Sequence, residues 1–195
     1  MDPGNDFIRL NGKYRSSILT YPENGKLPRR LTRWAIEGPS IYRMFNSADH
    51  PEERSLGERC IVGFGSSGGP PMLNVLYNNH YQIVQSPGYV MIMVEMNHDA
   101  RIIRLESEHN PNEMRPWLGD SVGWWEGDTL VVKTKNHHPQ QKFRAAIRHQ
   151  ILIMDGAEVT ERFTRTSDNE ILYELSLIHI SEPTRPERSA AAGVG

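Results

Sequence analysis

Eight short apolar segments, each closed by a turn signal, fill residues 81–176 of this 195-residue chain and limit its fold more than any other feature. Tyr81–Gln85 stops at Ser86-Pro87-Gly88, Tyr89–Met96 at Asn97-His98-Asp99, and Arg101–Leu105 at a polar loop over 106–116. Ser121–Trp125 stops at Glu126-Gly127-Asp128, Thr129–Lys135 at 136–141, Ala146–Met154 at Asp155-Gly156, and Glu158–Thr166 at Ser167-Asp168-Asn169; Glu170–Ser176 ends the series. Segments of this length, separated by Pro-Gly and Asp-Gly turns, are too short for packed helices and match strands. The spacing predicts an all-β fold, an antiparallel meander that closes as a lipocalin-like barrel or packs as a sandwich. Only Ala145–Met154 would also suit a short helix. In Tyr89–Met96 both alternating sets of side chains are apolar, which predicts a central strand covered on both faces.

The segments upstream and downstream read differently. Residues 1–56 form an irregular N-terminal arm, with a turn-rich connector over Tyr21–Pro28, a short helix expected around Leu31–Ile36 and a polar stretch over 46–56. The β domain is expected over residues 57–176. Its entry contains a short strand at Cys60–Phe64 and a glycine-rich loop from Gly63 to Pro71. That loop is not a phosphate cradle, because no Lys-Ser/Thr pair follows and Pro70-Pro71 blocks a helix start. It reads instead as a loop over a cavity mouth. Residues 177–195 are expected to be a disordered or artefactual tail. Leu175-Ser-Leu-Ile-His-Ile-Ser-Glu-Pro-Thr-Arg185 resembles a translated sequencing-library adapter, which implies a metagenomic reading frame truncated at its C-terminus.

Charge and cysteine content narrow the function classes. A formal net charge of −2 does not fit a nucleic-acid binder, and the basic residues Lys26, Arg29, Arg30 and Arg33 read as a solvated surface run. Cys60 is the single cysteine, so neither an intrachain disulfide framework nor a cysteine zinc site is available. It reads as strand packing. No apolar run approaches membrane-spanning length, and Met1-Asp-Pro-Gly-Asn is too polar for a signal peptide.

A set of local motifs adds a resemblance. Glu58-Arg-Cys-Ile61, Gly69-Pro-Pro-Met72, Tyr77-Asn-Asn79, Tyr81-Gln-Ile-Val-Gln85, Glu95-Met96, His98-Asp-Ala-Arg-Ile-Ile103, Trp117-Leu-Gly-Asp-Ser121, Trp125-Glu-Gly-Asp-Thr-Leu-Val-Val132 and Glu161-Arg-Phe-Thr-Arg165 stand between about residues 52 and 174. Together they resemble an uncharacterised bacterial family. The resemblance implies a compact β-rich fold and, since members often begin with an export signal, an exported or periplasmic location. It supplies no catalytic residues. Trp124 and the stretch Asn136–Gln150 depart from the family pattern.

The densest chemistry lies in Glu95-Met-Asn-His-Asp-Ala-Arg101. If Asn97-His98-Asp99 is a tight hairpin loop, Glu95 and Arg101 flank it on neighbouring strands. They then either form a cross-strand ion pair or open a site. In the site reading Glu95, His98 and Asp99 carry acid–base catalysis of a hydrolase, lyase or isomerase kind, and Arg101 anchors a carboxylate, carbonyl or phosphate. No cofactor is expected; a metal held by Glu95, His98 and Asp99 is a further reading, although their spacing matches no standard site. Tyr77, Asn78 and Tyr81 precede the strand that should pair with Tyr89–Met96, so they are expected at the same sheet end as substrate-binding groups. Asn78 and Asn79 equally suit turn capping. Trp124 and Trp125 must point to opposite faces, one into the core and the other, Trp125 in this reading, toward a ligand. Asp120 and Asp128 read as turn formers, and His137-His138 as surface histidines. A triad of Ser121, His98 and Asp99 lacks the Gly-x-Ser-x-Gly elbow. The expected partner is therefore a small molecule. A non-catalytic binding protein for an apolar or aromatic ligand and a structural interaction module stand as alternatives, and the oligomeric state is left open.

Overall fold

The computed structural model describes residues 8–10, 13–15, 20, 21, 23, 49–63, 69–73, 75, 77–141, 143–145, 150–153 and 156–179. The helix expected at Leu31–Ile36, the basic run Lys26–Arg33, the centre of the glycine-rich loop and the tail beyond residue 179 lie outside the described residues. The chain groups into two compact units, Met1–Ser40 and Ile41–Gly195. In the first, β1 (Ile8–Leu10) pairs antiparallel with β2 (Lys13–Arg15).

The second unit is built on β3 (Tyr81–Ser86), β4 (Tyr89–Val94), β5 (Ala100–Leu105), β6 (Asp120–Glu126), β7 (Thr129–Lys135), β10 (Ala157–Ser167) and β11 (Glu170–His179). Between β7 and β10, β8 (Phe143–Ala145) and β9 (Gln150–Leu152) form a separate hairpin. The seven strands make one curled half-barrel sheet in the order β11-β10-β7-β6-β5-β4-β3. No α-helix occurs among the described residues, and no helix among them is long and apolar enough to cross a membrane. The all-β, barrel-like class read from the turn spacing is the class observed. Within Ala145–Met154, ambiguous in sequence, Gln150–Leu152 forms β9.

One pairing departs from a pure meander. β5 and β6 run parallel, over only Ile103–Leu105 against Ser121–Gly123. Parallel neighbours need a crossover rather than a hairpin. The connection over residues 106–119 supplies it.

Strand alternation assigns the faces. Val90 and Ile92 on β4, Ile103 on β5, Leu130 and Val132 on β7 and Phe163 on β10 form the buried cluster of the concave face. Met72, Tyr81, Leu105 and Tyr173 pack against it. Each such side chain contributes about 1.5–3 kcal/mol when fully buried. Gly123 sits on this face because a Cβ there would lie 2.9 Å from Ile103 Cγ2 and 3.0 Å from the Val131 carbonyl oxygen. The irregular run before β3 lies against the same side, since Val75 clusters with Val94, Met96 and Tyr81.

The convex face corrects one expectation. β4 is not covered on both sides: Tyr89 is 50% exposed and Met93 36%, with Val84 on β3 and Ile102 on β5 beside them. Val90, Ile92 and Val94 of β4 face the concave side, and alternation turns every second residue of the strand away from it. The tryptophans correct another. Trp125 is exposed, and Trp124, half-buried on the convex face, donates its indole N–H to Glu126 Oε1 at 3.0 Å, so neither is core. Cys60 lies in a turn, exposed, with φ of 54°, not in a strand.

Candidate functional site

The turn between β4 and β5 is not the tight hairpin loop expected. Glu95 is still right-handed helical, Met96–His98 makes one 3-10 turn, and Asn97 and His98 both take left-handed backbone angles (φ 59° and 53°). Left-handed angles in non-glycine residues are uncommon and cluster at ligand sites and switches. The Asp99 carboxylate holds the turn in place. It accepts the Gly63 N–H at 2.8 Å and the Asn97 side-chain amide at 3.3 Å, tying the turn to the run that precedes β3.

This geometry removes the proposed Glu95–Arg101 pair. Arg101 stands opposite Ile92 on the concave face and is 2% exposed, whereas Glu95 is exposed at the turn. The arginine's partner is Glu161 on β10, itself fully buried, with contacts of 2.6 and 3.3 Å from Nη1 and Nη2. Tyr173 on β11 donates to Glu161 Oε1 at 2.7 Å and accepts the Met72 N–H at 3.0 Å. Burial pushes the Tyr173 phenol well above its usual range, and the Glu161 charge and hydrogen bond push it further; the Arg101 charge and the Met72 N–H oppose this. Arg101 is thus committed to a structural ion pair and is not a free anchor. Its Nε is buried without a hydrogen-bond partner among the described residues. Sequence reasoning missed Glu161, although a signal was present: Val159, Glu161 and Phe163 alternate on one face, so the pattern puts a carboxylate among buried apolar neighbours.

A second polar node lies where the crossover meets β6. Asp120, 4% exposed, accepts from Arg104 Nη2 at 2.9 Å, from the Asn110 backbone N–H at 2.8 Å and from the Asn110 side-chain amide at 2.9 Å, and lies 2.9 Å from His109 Nδ1. Burial raises the Asp120 carboxyl. The Asn110 N–H, the His109 hydrogen bond and the Arg104 and His109 charges outweigh that and hold it below the usual range. Asp120 is therefore a buried hub, not merely a turn former. Gly119 before it has φ of 76°, and a Cβ there would come within 2.7 Å of Thr134. His137 is buried and His138 stacks on Trp117 with ring centroids 3.7 Å apart, so neither is the surface histidine expected. Burial holds His138 below its usual range, helped by the Arg115 charge.

Two concavities meet at the β4–β5 turn. The larger, about 580 Å³, opens where β5 and β6 part. Cys60, Asn97, His98, Asp99, Arg101, Trp117 and Ser121 are among its lining residues. The smaller, about 340 Å³, is lined by His80, Tyr81, Gln82, Met93, Val94, Glu95 and His98. His98 is common to both. The expected site is therefore split. Glu95, His98 and Tyr81 share one concavity; His98, Asp99 and Arg101 share the other. Tyr77, Asn78 and Trp125 line neither. Tyr77 is 56% exposed, and Asn78 has φ of 56°. Asn79, not Asn78, closes the turn by bonding both backbone groups of Val75. Trp125 stands at the opposite end of β6, beside the β6–β7 turn. Ser121 shares a hydrogen bond of 2.8 Å with Thr134. Among the described residues, no three His, Cys, Asp or Glu side chains converge as a metal-holding group.

No family model matches the chain, no curated protein matches its sequence, and no solved structure matches its fold.

Proposed function

We propose that this protein holds a small polar or aromatic molecule in the cleft where β5 and β6 part. The observation that carries the reading is the short parallel pairing itself. Strands that meet only over Ile103–Leu105 and Ser121–Gly123 leave Ala100–Ile102 and Pro116–Asp120 as the two walls of a cleft of about 580 Å³. That volume lies within the range of small-molecule sites, roughly 300–1,000 Å³. The lining offers the features such sites use: an aromatic ring at Trp117, an imidazole at His98 and the amide of Asn97.

A second reading is acid–base catalysis at the rim, by Glu95 and His98 with Tyr81. It is favoured by their sharing the smaller concavity beside the cleft. Amide chemical-shift mapping against a fragment library of aromatic carboxylates, phenols and sugars tests the first reading. The expected shifts fall on residues 97–101 and 116–121. Shifts confined to the Trp125 end of β6, or absent throughout, overturn it. With a binding fragment in hand, Glu95→Gln and His98→Ala separate the readings. Turnover lost while binding persists indicates catalysis; binding weakened by His98→Ala, with no turnover in the parent protein, indicates a binding protein.

A further inference from the structure

β3 is an edge strand, paired only with β4 among the described residues. Edge strands of monomeric proteins are usually blunted by lysine, proline, a bulge or brevity, because an open row of N–H and C=O groups recruits other strands. Tyr81-Gln-Ile-Val-Gln-Ser86 has none of these devices. It carries no charge and no proline, and it pairs with β4 through an unbroken register. All of its residues after Tyr81 are exposed.

The hydrogen-bond phase of the β3–β4 ladder shows which groups are open. Glu95 N–H donates to the His80 carbonyl at 3.0 Å, so Tyr81–Val94 is a non-hydrogen-bonded pair. Alternation along the strand then sends the N–H and C=O of Gln82 and Val84 toward β4. Those of Tyr81, Ile83 and Gln85 face outward.

We infer that β3 is a self-association edge, and that its partner is β3 of a second copy of this chain, antiparallel about a two-fold axis through Ile83. In this register the outward groups of all three residues find partners together. Ile83 meets Ile83 of the partner subunit, and Tyr81 meets Gln85 of the partner subunit, so every outward donor and acceptor of the three residues is used on both strands. A two-fold contact of this kind is closed and stops at two copies. The other edge of the sheet among the described residues, β11, is a poorer match because Glu170 and Glu174 would enter the contact. The register also places Val84 of the partner subunit beside Gln82, a lining residue of the smaller concavity, so the second copy adds to that rim. A strand-edge contact is smaller than the usual stable interface, so the expected association is weak and concentration-dependent.

The test is sedimentation velocity on the full chain at concentrations up to hundreds of micromolar. The expected species has twice the 22.3 kDa monomer mass. Ile83→Pro removes an outward N–H without touching the β4 ladder, and Ile83→Lys places like charges opposite each other across the axis. Both are expected to give monomer with unchanged circular dichroism. If Ile83→Pro does not fold, Ile83→Lys decides. Ile83→Cys in a Cys60→Ser background is expected to oxidise to a covalent dimer, because facing Cα atoms of a hydrogen-bonded pair lie about 5.5 Å apart. A chain that stays monomeric at every concentration overturns the inference. So does a dimer indifferent to both substitutions, or growth beyond two copies, which would mark a β3-to-β11 contact.

Discussion

Arg101 and Arg104 lie three residues apart on β5, and the sheet sends them to opposite faces and opposite tasks. Arg101 points into the concave core and meets Glu161, while Tyr173 and the Met72 backbone complete a network that spans β5, β10, β11 and the run before β3. Arg104, on the other face, meets Asp120 with His109 and Asn110, so this network spans only the crossover and the strand ends it joins. The first network joins elements distant in sequence, so it can form only when the half-barrel curls. The second is local and fixes how the crossover returns the chain to β6. Similar ion pairs thus do different work, set by the distance along the chain that each one closes.

The strongest way to break the comparison is at Glu161. Glu161→Leu leaves the Arg101 guanidinium buried without its counter-charge. Removing one partner of a buried pair typically costs about 3–5 kcal/mol. Urea unfolding followed by tryptophan fluorescence should show a loss of this size across the whole unit. The double variant Arg101→Met, Glu161→Leu should recover most of it, because an apolar pair of similar volume suits the surrounding Val132 and Phe163. Failure of the double variant to recover would mean that the charges hold the curl in a way packing cannot replace.

The second network should yield less, and locally. Asp120→Ala strands the Asn110 N–H and the Arg104 head, the latter partly solvated, at a cost of about 2 kcal/mol. Hydrogen exchange should then report faster opening confined to residues 106–121, with β7 and β10 protected as before. Opening that spreads to β10 would erase the distinction between the two networks.

The sequence exposed these two networks unequally. The strands were legible because their ends are marked by Pro87-Gly88, Gly127-Asp128 and Asp155-Gly156, and because alternation is a local signal. The Thr129–Lys135 strand emerges with its expected bounds. Partners were not legible. Glu95 and Arg101 looked like neighbours because a two-strand picture sees only adjacent segments, whereas Arg101 is matched across the sheet by a residue sixty positions later. The parallel β5–β6 contact, which makes the larger cleft, leaves no mark in either strand; it depends on where the 106–119 connection returns. The gathering of Glu95, His98 and Tyr81 could be read, since the β3–β4 hairpin forces their shared end. The separation of Trp125 from them could not, because β6 enters the sheet parallel to β5.

The smallest predicted effect uses protons to probe both networks at once. Asp120 has its folded pKa lowered, so its contribution to stability is present above the unfolded value of about 3.9 and is lost as pH falls through the folded value. Tyr173 has its folded pKa raised, so its contribution is complete below the unfolded value of about 10 and is lost as pH rises above it. One pH unit past that value costs about 1.4 kcal/mol, since the folded chain must keep a proton that the unfolded chain has released. Stability measured against pH should therefore fall on two independent limbs. Asp120→Asn should flatten the acid limb and leave the alkaline one. Tyr173→Phe should flatten the alkaline limb and leave the acid one. If either substitution moves both limbs, the networks on the two faces of β5 are coupled through the strand, and the contrast between a core-spanning and a local ion pair fails.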